Sequence, residues 1–269
     1  IFVSPTVSAF AIAFIYPFIQ GVYLSFCKFS TIKKAKFVGL ANYQYALTDE
    51  SFYHSFGYTL AFAVVSVVLI NVLALALTSK IKGKDIYRTV FSMPNLIGGI
   101  VLGYIWKTLL DCFLSLIGQP LLALNETWGF VGLVILMCWQ QIGYMMIIYI
   151  AGLQAIDTAY LEAAMIDGAT KLQTLFRVKI PNVMSSITIC LFLTLTNGFK
   201  LFDQNLALTG GEPAHKSEML ALNIYDTFYA RSGKQWKGYG QAKAVIFCIL
   251  VIVISLIQLR ATKSKEVQA

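Results

Sequence analysis

Six long apolar runs limit what this sequence can fold into. Each run holds roughly 20 residues with few charges, the length that an α-helix needs to cross the hydrocarbon core of a bilayer. Inside lipid the backbone must satisfy its own hydrogen bonds, so runs of this length predict membrane-spanning helices. We place the six predicted spans at residues 2–26, 56–78, 90–110, 130–153, 182–202 and 242–259.

The composition agrees with a protein that crosses a membrane several times. Apolar residues make up 58% of the 269 residues and charged residues only 13%, whereas soluble domains average roughly 25% charged. The sequence therefore predicts one integral domain over 1–269, with its core at 55–260. The net charge of +8 does not indicate nucleic-acid binding, because the basic residues lie mostly at the ends of apolar runs.

Residues for catalysis or metal binding do not stand out in the sequence. The two histidines, His54 and His215, are far apart, and no phosphate-binding G-x-x-x-x-G-K-[ST] loop is present. We therefore expect no enzyme activity, no metal and no cofactor in this chain. We interpret the five cysteines as small core residues because each lies in or beside an apolar run: Cys27, Cys112, Cys138, Cys190 and Cys248.

One charged segment, residues 154–181, interrupts the apolar pattern. Asp157 can cap a short helix, and Glu162 lies near the positive end of that helix. Ala163 and Ala164 leave one face of the helix nearly bare, and Gly168 allows a sharp turn into a second helix. The segment therefore predicts a helix–turn–helix knob between two spans, suited to dock into a partner protein.

The spacing of this knob resembles the EAA signature of permeases from binding-protein-dependent ABC importers, E-A-A-x3-G-x9-I-x-L-P. Only Val178 and Ile180 depart from it, and both are apolar exchanges. Weaker similarities follow in the family's order: FVGLxNY at 37–43, YRT at 87–89 before Pro94, and TGG-x-P at 209–213, where Glu212 replaces a common glycine. The chain is thus similar to the permease subunits of type I ABC sugar importers of the maltose or multiple-sugar type.

The resemblance implies an all-α membrane protein with six transmembrane helices and a cytoplasmic EAA coupling-helix loop. It implies a second, non-identical permease subunit, an ATPase dimer that carries ATP and Mg²⁺, and an extracytoplasmic sugar-binding protein that contacts the outer loop 203–240. It also places the chain in the cell membrane with the EAA loop and the C-terminus in the cytoplasm, an orientation that basic-residue counts leave almost balanced. The residues expected to couple to the ATPase are Glu162, Ala163, Ala164, Asp167 and Gly168.

Polar and aromatic residues inside two spans are the candidates for substrate binding. An aromatic ring can stack on the apolar face of a sugar, while amides and hydroxyls bind its hydroxyl groups. By resemblance to maltose-type permeases, the candidates are Trp139, Gln140, Tyr144, Thr194, Asn197, Gly198 and Leu201. The alternative interpretation of the same residues is polar contact between helices together with aromatic anchors at the membrane interface.

Two other functions stay open at this level. The first is an ABC permease for another solute, such as a polyol, glycerol-phosphate or an amino acid; a phosphate would require a cationic side chain in the path. The second is a stand-alone secondary transporter or channel, which predicts inverted repeats or acidic residues in the middle of a span. Because the sequence begins at Ile1, we also expect a cytoplasmic N-terminal tail before it.

Overall fold

A computed structural model describes residues 3–78 and 89–264 of the chain, and helices form nearly all of it. Two short strands, β1 (Cys27–Lys28) and β2 (Lys36–Phe37), pair antiparallel after the first helix. Short 3-10 turns lie at Ile32–Lys34, Met93–Leu96 and Leu122–Leu124. The helices are α1 (Ser4–Ser25), α2 (Ala41–Thr48), α3 (Glu50–Leu77), α4 (Gly99–Leu116), α5 (Glu126–Gln154), α6 (Thr158–Ile166), α7 (Lys171–Asn182), α8 (Met184–Phe199), α9 (Asp203–Leu208), α10 (Leu220–Tyr225, followed by a π-helical turn at Asp226–Ala230) and α11 (Lys234–Lys263).

The predicted all-helical membrane fold is confirmed. Helices α1, α3, α4, α5 and α11 are each long and apolar enough to cross a bilayer. Helices α7 and α8 meet at a bend of 74° and supply a sixth span when counted together. The bend follows Pro181, whose missing N–H and fixed φ angle interrupt helical hydrogen bonding.

The structure corrects two predicted span starts and one predicted loop. Span three does not begin at residue 90, because Pro94 lies in a 3-10 turn and helix α4 begins only at Gly99. Helix α11 begins at Lys234 rather than at residue 242, so its first two turns are polar. The segment 203–240 is not a plain polar loop, since it contains α9, α10 and much buried side-chain surface. Tyr87 and Arg88 of the YRT similarity lie outside the described residues.

Helix α5 lies at the centre of the fold and packs against α3 and α8. Small residues allow these close contacts: a Cβ added at Gly143 would overlap the Phe91 carbonyl, and one added at Gly152 would overlap the Ser186 hydroxyl.

Helices α3 and α5 run parallel, since Tyr58 contacts Phe130 near their beginnings and Asn71 contacts Tyr149 nearer their ends. Helix α8 runs antiparallel to α5, with Ser186 beside Gly152 and Asn197 bonded to Gln141. We call the end of this three-helix core that carries residues 154–181 the knob end, and the other the opposite end.

Candidate functional site

The predicted knob is present and its first helix is capped as expected. The Asp157 carboxylate accepts a hydrogen bond of 2.9 Å from the Ala159 backbone N–H and begins helix α6. Glu162, Ala163 and Asp167 are exposed along this helix, whereas Ala164 is buried. The charged residues of the signature and Ala163 therefore lie on the outside of the knob, whereas Ala164 faces its interior.

The turn of the knob is a Schellman motif centred on Gly168. Its backbone has a φ of 71°, a left-handed conformation that side chains with a Cβ disfavour. The Ala169 N–H donates to the Ala164 carbonyl at 2.9 Å, and the Gly168 N–H donates to the Met165 carbonyl at 3.1 Å. These two bonds fix the angle at which the chain leaves α6.

A capping box begins the second helix of the knob. The Gln173 backbone N–H donates to the Thr170 hydroxyl, and the Thr170 N–H donates to the Gln173 side-chain oxygen at 2.8 Å. Helix α7 starts directly after Thr170 and leads into the bend before α8. Both helices of the knob are thus begun by local hydrogen bonds from capping residues.

The knob carries apolar side chains that nothing in the described part of the chain covers. Ile166 is 86% exposed, and Met165, Leu172 and Phe176 are each more than 60% exposed. Apolar side chains gathered on one polar-flanked projection are typical of a protein docking surface. The knob therefore has the chemistry of a docking element for a soluble protein.

A small polar cavity lies among α5, α8 and α9, toward the opposite end. The Asn197 amide donates to the Gln141 side-chain oxygen at 3.2 Å, and the Gln204 amide donates to the Gln140 side-chain oxygen at 2.8 Å. The cavity measures about 170 Å³. Its lining residues are Met137, Gln141, Asn197, Lys200, Leu201 and Gln204.

The structure brings only part of the predicted substrate set to this cavity. Asn197 and Leu201 line it, and Gln140 reaches its edge through Gln204. Thr194 is fully buried instead and hydrogen-bonds the side chain of Asn71 at 3.1 Å. The role of each residue in binding a substrate stays a prediction.

The other three candidates lie away from the cavity lining. Gly198 packs against Ala63 of helix α3, where it allows close approach of the two helices. Trp139 contacts Trp106, with ring centroids 5.4 Å apart, and Tyr144 is 41% exposed on α5. Neither aromatic residue therefore lines the cavity that the amides form.

Sequence reasoning missed several polar residues that the fold uses. Gln141 and Gln204 complete the cavity, and Lys200 adds a cation to it. Asn71 accepts a hydrogen bond of 2.6 Å from the Tyr149 hydroxyl and donates to Thr194, so it links three helices. The available signal was the presence of amides inside apolar runs, which are costly in a membrane unless they are paired.

A second polar centre, buried at the opposite end, is built around Lys243. Its Nζ lies 2.6 Å from the Asp49 carboxylate and donates to the Asn223 side-chain oxygen at 2.8 Å and the Thr227 hydroxyl at 2.9 Å. Burial alone would raise the pKa of Asp49, but hydrogen bonds from Lys243 and from Ser51 outweigh it and leave that pKa below its usual value. This pair fixes α11 to the beginning of α3.

Next to that pair lies a carboxyl cluster that sequence spacing did not predict. Burial raises the pKa of Glu218 to about 7, while the hydrogen bond from Asn223 and the nearby His215 oppose the shift. The ligand atoms of His215, Glu218 and Asp226 all lie within 4.8 Å of one another. The fold thus gathers three groups that the sequence separates by up to eleven positions.

Comparison with known families places these features in context. Residues 79–264 match the family described as binding-protein-dependent transport system inner membrane component. The chain belongs to this family. As an inner membrane component of such a transport system, it is a permease, and the matched residues include the knob, the cavity and the carboxyl cluster.

Relatives of this inner membrane component support the assignment along its full length. The probable starch degradation products transport system permease protein AmyD of Thermoanaerobacterium thermosulfurigenes is 41% identical, covering 100% of this chain and 94% of the relative. The multiple sugar-binding transport system permease protein MsmF of Streptococcus mutans is 33% identical, covering 94% and 91%. A bacterial ABC transporter that imports alginate has the same fold, with a TM-score of 0.81, 20% identity and coverage of 97% and 93%.

Proposed function

We propose that this chain is the transmembrane permease subunit of an ABC importer for a sugar or oligosaccharide. The observation that carries the proposal is the knob, which joins the EAA spacing to a rigid, uncovered apolar surface. The names of the relatives AmyD and MsmF, which refer to starch degradation products and multiple sugars, support the substrate class. The chain contributes the path, and ATP and Mg²⁺ bind to a separate ATPase dimer.

In this proposal the knob lies in the cytoplasm and docks into a cleft on the ATPase. Ile166 and Leu172 provide apolar contact, and Glu162 adds charge at the surface. ATP binding favours one state of the ATPase dimer, and the docked knob passes that preference to the spans as a shift of populations. This mechanism requires a rigid knob, because internal motion of the knob would weaken the coupling between the ATPase and the spans.

The remaining partners act at the opposite end, which the proposal places outside the cell membrane. An extracytoplasmic binding protein delivers the sugar to the segment 203–240, and a second, non-identical permease completes the path. The cavity between Gln141 and Asn197 contributes amide groups to that path. Such groups suit sugar hydroxyls, which need partners for both donated and accepted hydrogen bonds.

The substrate assignment is tested by replacing Asn197 with leucine, which keeps the side-chain size but removes both polar groups. We expect uptake of a labelled starch-derived oligosaccharide in energised vesicles to fall roughly tenfold, the effect of about one lost hydrogen bond. Gln119→Leu, at an exposed amide far from the cavity, is the control and should transport normally. Unchanged uptake in Asn197→Leu would remove this cavity from the path.

A second candidate substrate class is favoured by Lys200. Its side chain lines the same cavity as the amides of Gln141 and Gln204, so a carboxylate or phosphate on the solute would find a cation there. This supports import of an acidic saccharide or a sugar phosphate. For that class, Lys200→Met should abolish uptake of the anionic solute and spare a neutral oligosaccharide. If the natural solute is a neutral sugar, Lys200→Met should leave the uptake of that sugar little changed.

A further inference from the structure

The cluster of His215, Glu218 and Asp226 lies in the segment 203–240 but does not line the polar cavity, and it has its own chemistry. His215 Nδ1 lies 3.5 Å from Glu218 Oε2, and the ligand atoms of all three residues lie within 4.8 Å of one another. The two turns that carry them differ: His215 follows Ala214 in a tight turn in which both residues have positive φ, and Asp226 begins the π-helical turn after α10. The fold therefore brings one imidazole and two carboxylates close together.

The three side chains of the cluster differ in their exposure to solvent. Glu218 forms the floor of the cluster and is only 2% exposed. Asp226 is partly buried, whereas 65% of the His215 side chain is exposed. A small ion could therefore reach the cluster from solvent and still contact a carboxylate that water cannot surround.

Among the described residues, no lysine or arginine forms an ion pair with a carboxylate of the cluster. The charge of Lys243 acts on Glu218 from a distance, but the hydrogen-bonded connection between them runs through Asn223, whose oxygen accepts from Lys243 and whose amide donates to Glu218 at 3.2 Å. That lysine is already paired with Asp49 at 2.6 Å. Glu218 and Asp226 also hydrogen-bond each other, which requires a proton between the two carboxyl groups. Buried carboxylates are stabilised when they bind a metal, so a divalent cation among Glu218, Asp226 and His215 can take the place of that proton.

Arg231 is directed elsewhere and does not supply the missing charge. Its guanidinium lies 4.7 Å from the ring centroid of Trp236 and donates to the Tyr45 hydroxyl at 3.4 Å. Stacking on Trp236 holds the Arg231 guanidinium against helix α11 and not over the Asp226 carboxylate.

We propose that His215, Glu218 and Asp226 bind a divalent first-row transition ion, for which Zn²⁺ is the representative probe. An imidazole with two carboxylates is a common zinc donor set with ligand distances near 2 Å. In a tetrahedral site this requires donor atoms roughly 3.3 Å apart, a spacing that His215 and Glu218 already approach. Exposed His215 can close the remaining distance by a change of rotamer.

The donor set also indicates which ions should bind poorly. Ca²⁺ and Mg²⁺ prefer six or more oxygen ligands, and one of the three ligands here is a nitrogen. Zn²⁺ accepts imidazole and carboxylate together at a low coordination number. The site would leave at least one position for water and would join the turn at 211–217 to α10.

The test measures zinc bound to the full chain in lipid nanodiscs, with whatever subunits co-purify and with an affinity tag free of histidine. We expect wild-type protein to retain one more Zn²⁺ per chain than either His215→Ala or Asp226→Asn after dialysis. Each substitution should weaken binding by about 100-fold or more, since even residues behind a metal ligand affect affinity by 10- to 100-fold. Excess Ca²⁺ or Mg²⁺ should not displace the ion.

His54→Ala is the matched control. His54 Nε2 lies 3.8 Å from a single carboxylate, that of Glu126, and both side chains are more than 40% exposed, so its loss should leave zinc binding unchanged. Co²⁺ substitution separates this site from thiol sites, because cysteine ligands add thiolate absorption bands. Equal zinc content in wild type, His215→Ala and Asp226→Asn would overturn the proposal, as would wild-type protein that binds no zinc. Sugar uptake is a separate measurement, so either proposal can fail alone.

Discussion

Gly168→Pro is expected to reduce ATP-coupled uptake to background while the protein still inserts in the membrane. The backbone at Gly168 has a φ of 71°, and proline is restricted to a φ near −65°. Proline also removes the N–H that donates to the Met165 carbonyl. The Schellman turn cannot form, so α7 leaves α6 at another angle and the knob no longer fits its cleft. Uptake of labelled oligosaccharide in vesicles, normalised to permease content, measures the effect.

Gly118→Pro is the matched control for this experiment. Gly118 ends helix α4 in the same motif, with a φ of 70° and an N–H that donates to the Ser115 carbonyl at 3.2 Å. Both glycines have open space around the position of a Cβ. Equal loss of uptake in the two variants would reduce the effect to general destabilisation and refute a special role of the knob.

Glu162→Lys tests the same surface without altering the backbone. Glu162 is exposed and lies on α6 away from the turn, so the variant should fold normally and still lose coupling through its reversed charge. ATPase activity that no longer responds to substrate, together with normal insertion, is the expected result. Wild-type uptake by this variant would contradict docking through the EAA residues.

Lys243→Met is expected to lower the free energy of unfolding by about 3–5 kcal/mol, the usual cost of removing one partner from a buried ion pair. Lys243 is fully buried, and the Asp49 side chain is only 12% exposed. The substitution leaves the Asp49 carboxylate without its cation and removes two further hydrogen bonds, to Asn223 and Thr227. Denaturant unfolding in detergent, followed by circular dichroism, measures the loss.

Two variants identify the cause of that loss. Asp49→Asn combined with Lys243→Met should recover a large part of the stability, because no unpaired charge remains. Lys237→Met, on the same helix, removes a partly buried hydrogen bond to the Ser30 carbonyl and a 6.0 Å cation–π contact with Phe228, and should cost much less because no buried ion pair is broken. A double variant as unstable as Lys243→Met would show that the hydrogen bonds dominate and not the ion pair.

The same pair has a definite pH dependence. Because the pKa of Asp49 is lower in the folded protein than its usual value, its contribution to stability is complete above about pH 4. The contribution is lost as the pH falls through the lowered pKa. The Lys243→Met variant should lack this acid-dependent component.

The knob and the span count could be predicted because their signals are local. A capping aspartate, a glycine after a helix and a run of twenty apolar residues each determine nearby structure with little help from the rest of the fold. Asp157 and Gly168 both lie where their local chemistry predicted. The start of span three was missed because an apolar run continues through Pro94 although the helix does not.

The polar centres could not be predicted because their partners are distant in sequence. Thr194 and Asn197 share a helix face by spacing, yet one bonds to Asn71 and the other to Gln141, since α8 packs between α3 and α5. Lys243 is separated from Asp49 by most of the chain. A single sequence shows which residues are polar, but only the packing shows which of them meet.

The bond from Tyr149 to Asn71 and the bond from Asn71 to Thr194 have a mechanical consequence. They join α3, α5 and α8 through side chains, and the knob connects α5 to α8. If the proposed ATPase displaces the knob, we expect these three helices to move as a unit, with Gln141 still beside Asn197. The relative motion would then fall at the contacts between this unit and the neighbouring helices.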